Sequence, residues 1–185
     1  MTAPLEHTIV ISPVGDLDLK LIEQVRKRVS QKFGYGTVIL SLLQDMEFAL
    51  DPARDQHYST KILERLAGLA PQNAIKLIAI CDVDLFIPIL THVYGEAQLG
   101  GKACIISTYR LNQGMPPINA QKTFHQRVIK EAIHELGHTF NLRHCHDKSC
   151  GMHYCHEVRD VDNKSEQFCR YCKILLEDEI KRLLG

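Results

Sequence analysis

The amino-acid sequence predicts a mixed α/β domain, with a largely parallel sheet flanked by helices, followed by a small C-terminal region of different character. Strand-length apolar runs alternate with stretches of helical spacing, the rhythm of parallel strands joined by crossover helices. Residues 75–81 are almost continuously apolar, as a strand covered on both faces must be. Beyond about residue 144 the apolar pattern thins, and cysteine and histidine crowd together instead.

The elements follow in order. Residues 7–12 are a β-branched run and read as the first strand. Asp16 is placed to cap the next helix, where Leu19, Ile22, Val25, Val29 and Phe33 recur at helical spacing, and Gly34 and Gly36 stop it. Residues 37–43 read as a second strand. A loop holding Pro52 leads to a second helix with Ile62, Leu63, Leu66 and Leu69 on one side. After the apolar strand, residues 94–97 are a candidate edge strand and residues 102–107 another strand. Phe124, Val128, Ala132 and Leu136 mark one side of a long helix from about Gln121. A last helix is expected after Asn163, with Glu166 as its capping partner and Ile174, Leu175 and Ile180 packing inward. No repeat or glycine-rich linker divides the chain. Residues 1–185 therefore read as one domain, with an N-terminal subdomain to about residue 141 and a C-terminal one from about 142.

A chain of 185 residues can bury a proper core. Lysine plus arginine equals aspartate plus glutamate, 22 each, so nothing advertises a polyanionic partner and nucleic-acid binding is not expected. No apolar run is long enough to span a bilayer, so no membrane partner is expected. Residues 1–7 lack the basic-then-apolar pattern of a secretion signal, which points to a cytoplasmic protein, read as a monomer. In a reducing compartment, an odd count of seven cysteines favours metal binding over a disulfide framework. Cys81 and Cys104 lie inside apolar runs and read as core filler. The other five fall between Cys145 and Cys172, and seven of the ten histidines between His125 and His156.

The decisive stretch is His134-Glu135-Leu136-Gly137-His138-Thr139-Phe140-Asn141-Leu142-Arg143-His144. Residues four apart share a helix face, so His134 and His138 can present both imidazoles to one ion. A third ligand at His144 requires the helix to end and the chain to turn back. Asn141 stands where the turn needs a left-handed residue, a conformation that asparagine tolerates better than most. Three protein ligands leave the fourth zinc position to water, which separates a catalytic site from a structural one. Glu135 is placed as the general base.

Cys169 and Cys172 form a CxxC pair, and Cys145 with Cys150 a second pair. Together they make a four-thiolate set of the kind that closes zinc tetrahedrally. Cys155 is a rival fifth thiol, His146, His153 and His156 are nearby alternatives, and disulfide pairing is the competing chemistry.

The extended histidine motif, the cysteine directly after its third histidine, Cys150, Met152 and Cys169-Arg170-Tyr171-Cys172 resemble the archaemetzincins, a family within the metzincin zinc metalloproteases. The stretches Val93-Tyr94-Gly95-Glu96-Ala97 and Ser107-Thr108-Tyr109-Arg110-Leu111 extend the resemblance upstream. It implies a compact metzincin fold: a twisted mixed sheet with flanking helices, an active-site helix and a small zinc-bearing C-terminal subdomain. It also implies two zinc ions, one catalytic and one structural held by the four cysteines. Met152 would form an apolar floor beneath the catalytic metal, and Tyr154 would stand beside it to donate a hydrogen bond to the developing oxyanion. The expected function is a zinc-dependent metallopeptidase acting on a peptide or protein substrate laid along residues 94–97. The alternative is a zinc-stabilised peptide-binding module with little turnover, against which the intact Glu135 argues.

Overall fold

Strand β1 (Thr8–Pro13) lies inside a five-stranded sheet of a computed structural model that describes residues 7–184. The reading of residues 1–7 as lacking a secretion signal falls, apart from His7, outside the described residues. Helix α1 (Leu19–Phe33) leads to β2 (Gly36–Ile39), and the short strands β3 (Leu50–Asp51) and β4 (Gln56–Tyr58) precede α2 (Ser59–Leu69). Then come β5 (Ala74–Cys81), β6 (Leu85–Phe86), β7 (Gly95–Ala97) and β8 (Ala103–Ser107). Helices α3 (Ala120–Thr139), α4 (Val158–Asn163) and α5 (Arg170–Leu184) complete the chain.

The main sheet runs β2-β1-β5-β8-β7, parallel except for β7, which pairs antiparallel to β8 with Glu96 opposite Ile105. Side-chain alternation splits its residues between two cores. Ile9, Ile11, Ile78, Ile80, Cys104 and Ile106 face α1 and α3, while Val10, Leu77, Ala79, Cys81 and Ile105 face α2. Both faces are covered, which is why β5 reads as an unbroken apolar run. Cys81 and Cys104 are fully buried, one in each core, as expected of filler. No described helix is long and apolar enough to cross a membrane.

Several local expectations need correction. The cap of α1 is Asp18, whose carboxylate accepts from Lys20 N at 2.8 Å, while Asp16 lies exposed in the preceding bend. Gly34, at φ 76°, closes the helix as expected. Strand β2 stops at Ile39 rather than residue 43, because Leu42 N turns to the Ser12 hydroxyl and Leu43 buries against the α2 side. Leu69 is exposed. The small sheet β3-β4-β6 was not foreseen, its strands being too short to show a period.

The C-terminal region departs most. Asn163 ends a short helix, α4, whose start is closed by a capping box between Glu157 and Asp160. The last helix begins only at Arg170, and Glu166 pairs with Arg28 of α1 instead of capping it. Burying Cys172 sets the rotation of α5, so Leu176 packs inward and Ile174 and Leu175 are exposed. Ile180 does pack against the core, partly buried. Phe140 at the end of α3 stacks on Phe33, 4.9 Å between centroids, and Phe168 meets the same ring edge-on. The tail is thus part of the α1–α3 core.

One buried cation braces the end of α3. Lys76 of β5, 3% exposed, donates to Thr139 O at 2.6 Å and Gly101 O at 2.8 Å. It thereby satisfies a carbonyl in the last helical turn, which has no intrahelical partner. Burial pulls its ammonium down to about 8. Replacing Lys76 by methionine should cost about 1–3 kcal/mol, the penalty of leaving such a carbonyl unsatisfied. Denaturant unfolding checks this, and an unchanged midpoint would contradict the bracing role.

Candidate metal centre and cleft

Helix α3 carries His134 and His138 one turn apart, and their hydrogen bonds decide how the rings are presented. His134 Nδ1 lies 2.8 Å from Gly151 O, and His138 Nδ1 lies 2.7 Å from Leu142 O. A carbonyl can only accept, so both Nδ1 atoms carry the proton and both Nε2 atoms keep a bare lone pair. Those two Nε2 atoms face each other at 3.1 Å. Two lone pairs so placed repel, and a cation between them removes the repulsion. Burial, and then the Lys164 charge, holds His134 well below the usual imidazole range. Burial likewise lowers His138, and it brings His144 to about 4. The imidazoles are neutral at neutral pH, as metal ligation requires.

The turn that returns His144 is built as anticipated. Asn141 adopts φ 62°, and Leu142 N bonds to Gly137 O at 3.0 Å. The His144 ring lies 5.3 Å from that of His134 and 4.8 Å from that of His138. One nitrogen from each of the three residues falls within 4.8 Å of the others.

Glu135, on the same turn, is 6% exposed and packs against β7. A Cβ at Gly95 would sit 2.7 Å from Glu135 Cγ, so only glycine leaves room for this side chain. Burial first, then the Glu131 charge, raises its carboxyl well above the usual range. Gly137 has a matching role. A Cβ there would run into the sulfur of Met152, itself fully buried, so the glycine lets Met152 lie directly under α3. Tyr154 is partly exposed, its ring 4.8 Å from His144 and 4.5 Å from His156.

Cys145, Cys150, Cys169 and Cys172 form a second cluster, with all four sulfurs within 4.8 Å of one another and Cys145 Sγ 3.8 Å from Cys169 Sγ. Backbone N–H groups point at it: Cys169 N lies 3.2 Å from Cys150 Sγ, and Cys172 N lies 3.5 Å from Cys169 Sγ. That second donor holds the Cys169 thiol below its ordinary range. All seven cysteines are free. Cys155 stands outside the cluster, and burial pushes its thiol up to about 12. His153 also stands apart, with Nδ1 turned to Cys145 O at 2.9 Å.

Sequence reasoning missed a buried ion pair behind the histidines. Lys164 Nζ, fully buried, lies 2.7 Å from Glu131 Oε1 and 3.3 Å from His134 Nδ1. Glu131 could have been flagged, since it precedes His134 by three residues on the same helix. Lys164 carries no such signal. In front of the histidines a cleft of about 690 Å³ opens, walled by β7 on one side and by Arg143, Tyr154 and His156 on the other. β7 is the terminal strand of its sheet, so among the described residues its outer edge pairs with no other strand.

The sequence model of Peptidase family M54 matches residues 22–178. Fold, site and this match make the chain a zinc-dependent metallopeptidase. The archaemetzincin of Methanocaldococcus jannaschii is 35% identical over 92% of this chain and 93% of its own length. That of Halobacterium salinarum is 34% identical over 88% of this chain and 95% of its own. The crystal structure of the Methanopyrus kandleri archaemetzincin superposes with a TM-score of 0.82 at 28% identity, covering 98% of this chain and 99% of that one. The chain belongs to this family, the archaemetzincins.

The fit between Gly137 and Met152 is directly testable. Gly137→Ala should destabilise by about 1–3 kcal/mol through overpacking, despite the better helix propensity of alanine. In the Met152→Ala background the same change should cost measurably less. Equal costs in both backgrounds, read from denaturant unfolding, would contradict the contact.

Proposed function

We propose that the chain hydrolyses peptide bonds at a zinc ion held by His134, His138 and His144, with Glu135 as general base. The facing Nε2 lone pairs of His134 and His138 carry this reading, because neutral nitrogens preset 3.1 Å apart with a third imidazole alongside suit one small cation. Zinc, when bound, supplies Lewis-acid polarisation of water and of the scissile carbonyl. Everything else falls to the chain. Glu135, buried one residue after the first ligand, takes a proton from the attacking water and hands it to the departing amine. Tyr154, beside His144, donates a hydrogen bond to the oxyanion of the tetrahedral intermediate. The substrate lies extended along the open edge of β7, pairing through backbone groups.

The four cysteines hold a second, structural zinc, so the chain carries two ions of different lability. Four sulfurs gathered without a disulfide, with N–H donors aimed at two of them, support that assignment. Residues 1–185 act as one metalloprotease domain, with the division between subdomains near residues 141 and 142. We further read it as a cytoplasmic monomer without nucleic-acid or membrane partners, in keeping with its zero net charge and free thiols.

Replacing Glu135 by glutamine tests the mechanism. Zinc content should stay near wild type while cleavage of a peptide library falls by about 100-fold or more. His138→Ala should lose both metal and activity, since it removes a ligand. A Glu135→Gln protein that cleaves as fast as the wild type would end this mechanism.

A further inference from the structure

We propose that Arg143 is a carboxylate-recognition group in the substrate cleft. Preferred peptides would then carry a carboxylate near the scissile bond, either an aspartate or glutamate side chain or a free C-terminus. The inference rests on the reading of this cleft as a peptidase site. Arg143 is the only lysine or arginine lining the cleft, and it has no hydrogen-bond or ion-pair partner among the described residues.

The carboxylates of the cleft are engaged elsewhere, none of them bonded to Arg143. Glu96 accepts from Thr60 Oγ1 at 2.8 Å and from the Ser59 hydroxyl. Glu131 is paired with Lys164, and Glu135 is packed against Gly95. The Arg143 guanidinium is therefore free to pair with an anionic group on what binds in the cleft.

The chain also presents Arg143 from a fixed base. Leu142, before it, is buried, with N bonded to Gly137 O and its carbonyl accepting from His138 Nδ1. Two residues after it, Cys145 N bonds to Met152 O at 2.9 Å. Only the Arg143 side chain is left to move, and it is exposed in the lining of the cleft that also holds His134, His138 and His144. A guanidinium fork matches a carboxylate in plane with two parallel hydrogen bonds, which an amide cannot copy.

The experiment uses one peptide series on the zinc-loaded protein. At each position around the cleaved bond Asp is compared with Asn, and at the C-terminus the free acid with the amide. Wild type should favour one of these carboxylates by about tenfold or more in kcat/KM, the scale of a charge-assisted hydrogen bond. Whether the Asp or the free-acid arm responds identifies the source. Arg143→Gln should bring the preference ratio toward one, and Arg143→Lys should keep part of it. No preference in the wild type, or one that survives Arg143→Gln, overturns the inference and leaves the peptidase reading standing. If the wild type cleaves no peptide, the peptidase reading fails, and binding decides separately. Fluorescein-labelled versions of the same peptides are then titrated against Glu135→Gln with and without Arg143→Gln. Tighter binding of the carboxylate forms that needs Arg143 supports the inference, and equal binding of acid and amide forms overturns it.

Discussion

Two neutral imidazoles, each with its proton committed to a backbone carbonyl, point bare nitrogen lone pairs at each other across 3.1 Å. The surrounding structure exists to hold that unfavourable pair. His134 and His138 share a helix face because they are four apart, but the tautomer comes from elsewhere: Gly151 O and Leu142 O accept the Nδ1 protons. Both carbonyls belong to chain beyond the helix, so the ligands are oriented only when the return turn and the tail have docked. The left-handed Asn141 makes that return, and the glycine at 137 lets Met152 close against it.

The cysteine cluster and the histidine cluster are mechanically one device. Gly151, whose carbonyl orients His134, lies between Cys150 of the cysteine cluster and the buried Met152. Gathering the four sulfurs therefore fixes the strap that fixes the histidine. Behind it, the Lys164–Glu131 pair is costly to desolvate and rewards no packing. Its use is local. Burial first, and then the Lys164 charge, keeps His134 neutral, and the same charge opposes the effect of Glu131 on the Glu135 carboxyl.

Much of this was legible in the residues, and the reason differs from part to part. Helix α3 and the strands β1, β5 and β8 announce themselves because both faces or one long stripe are buried, leaving strong periods. The candidate ligands were legible because metal chemistry demands few residue types at tight spacings, and the structure brings those residues together. The C-terminal region was not, for there the rotation of α5 follows Cys172 and the contacts of Glu166 and Lys164 reach back to α1 and α3. Such pairings join residues more than a hundred positions apart, or thirty along an irregular tail, and no local pattern encodes them. Asp16 failed as a cap for a simpler reason: Asp18 stands two residues nearer the free N–H groups.

Zinc K-edge X-ray absorption on metal-replete protein, paired with elemental analysis, tests the central claim most directly. The account predicts two zinc ions per chain, and a spectrum that is the average of one all-sulfur shell near 2.3 Å and one nitrogen-oxygen shell at about 2.0–2.1 Å. Serine at Cys172 should remove the sulfur shell's integrity while the nitrogen shell keeps its distance wherever the ion is retained. A single ion per chain, or one bound by a mixture of sulfur and imidazole, would contradict it.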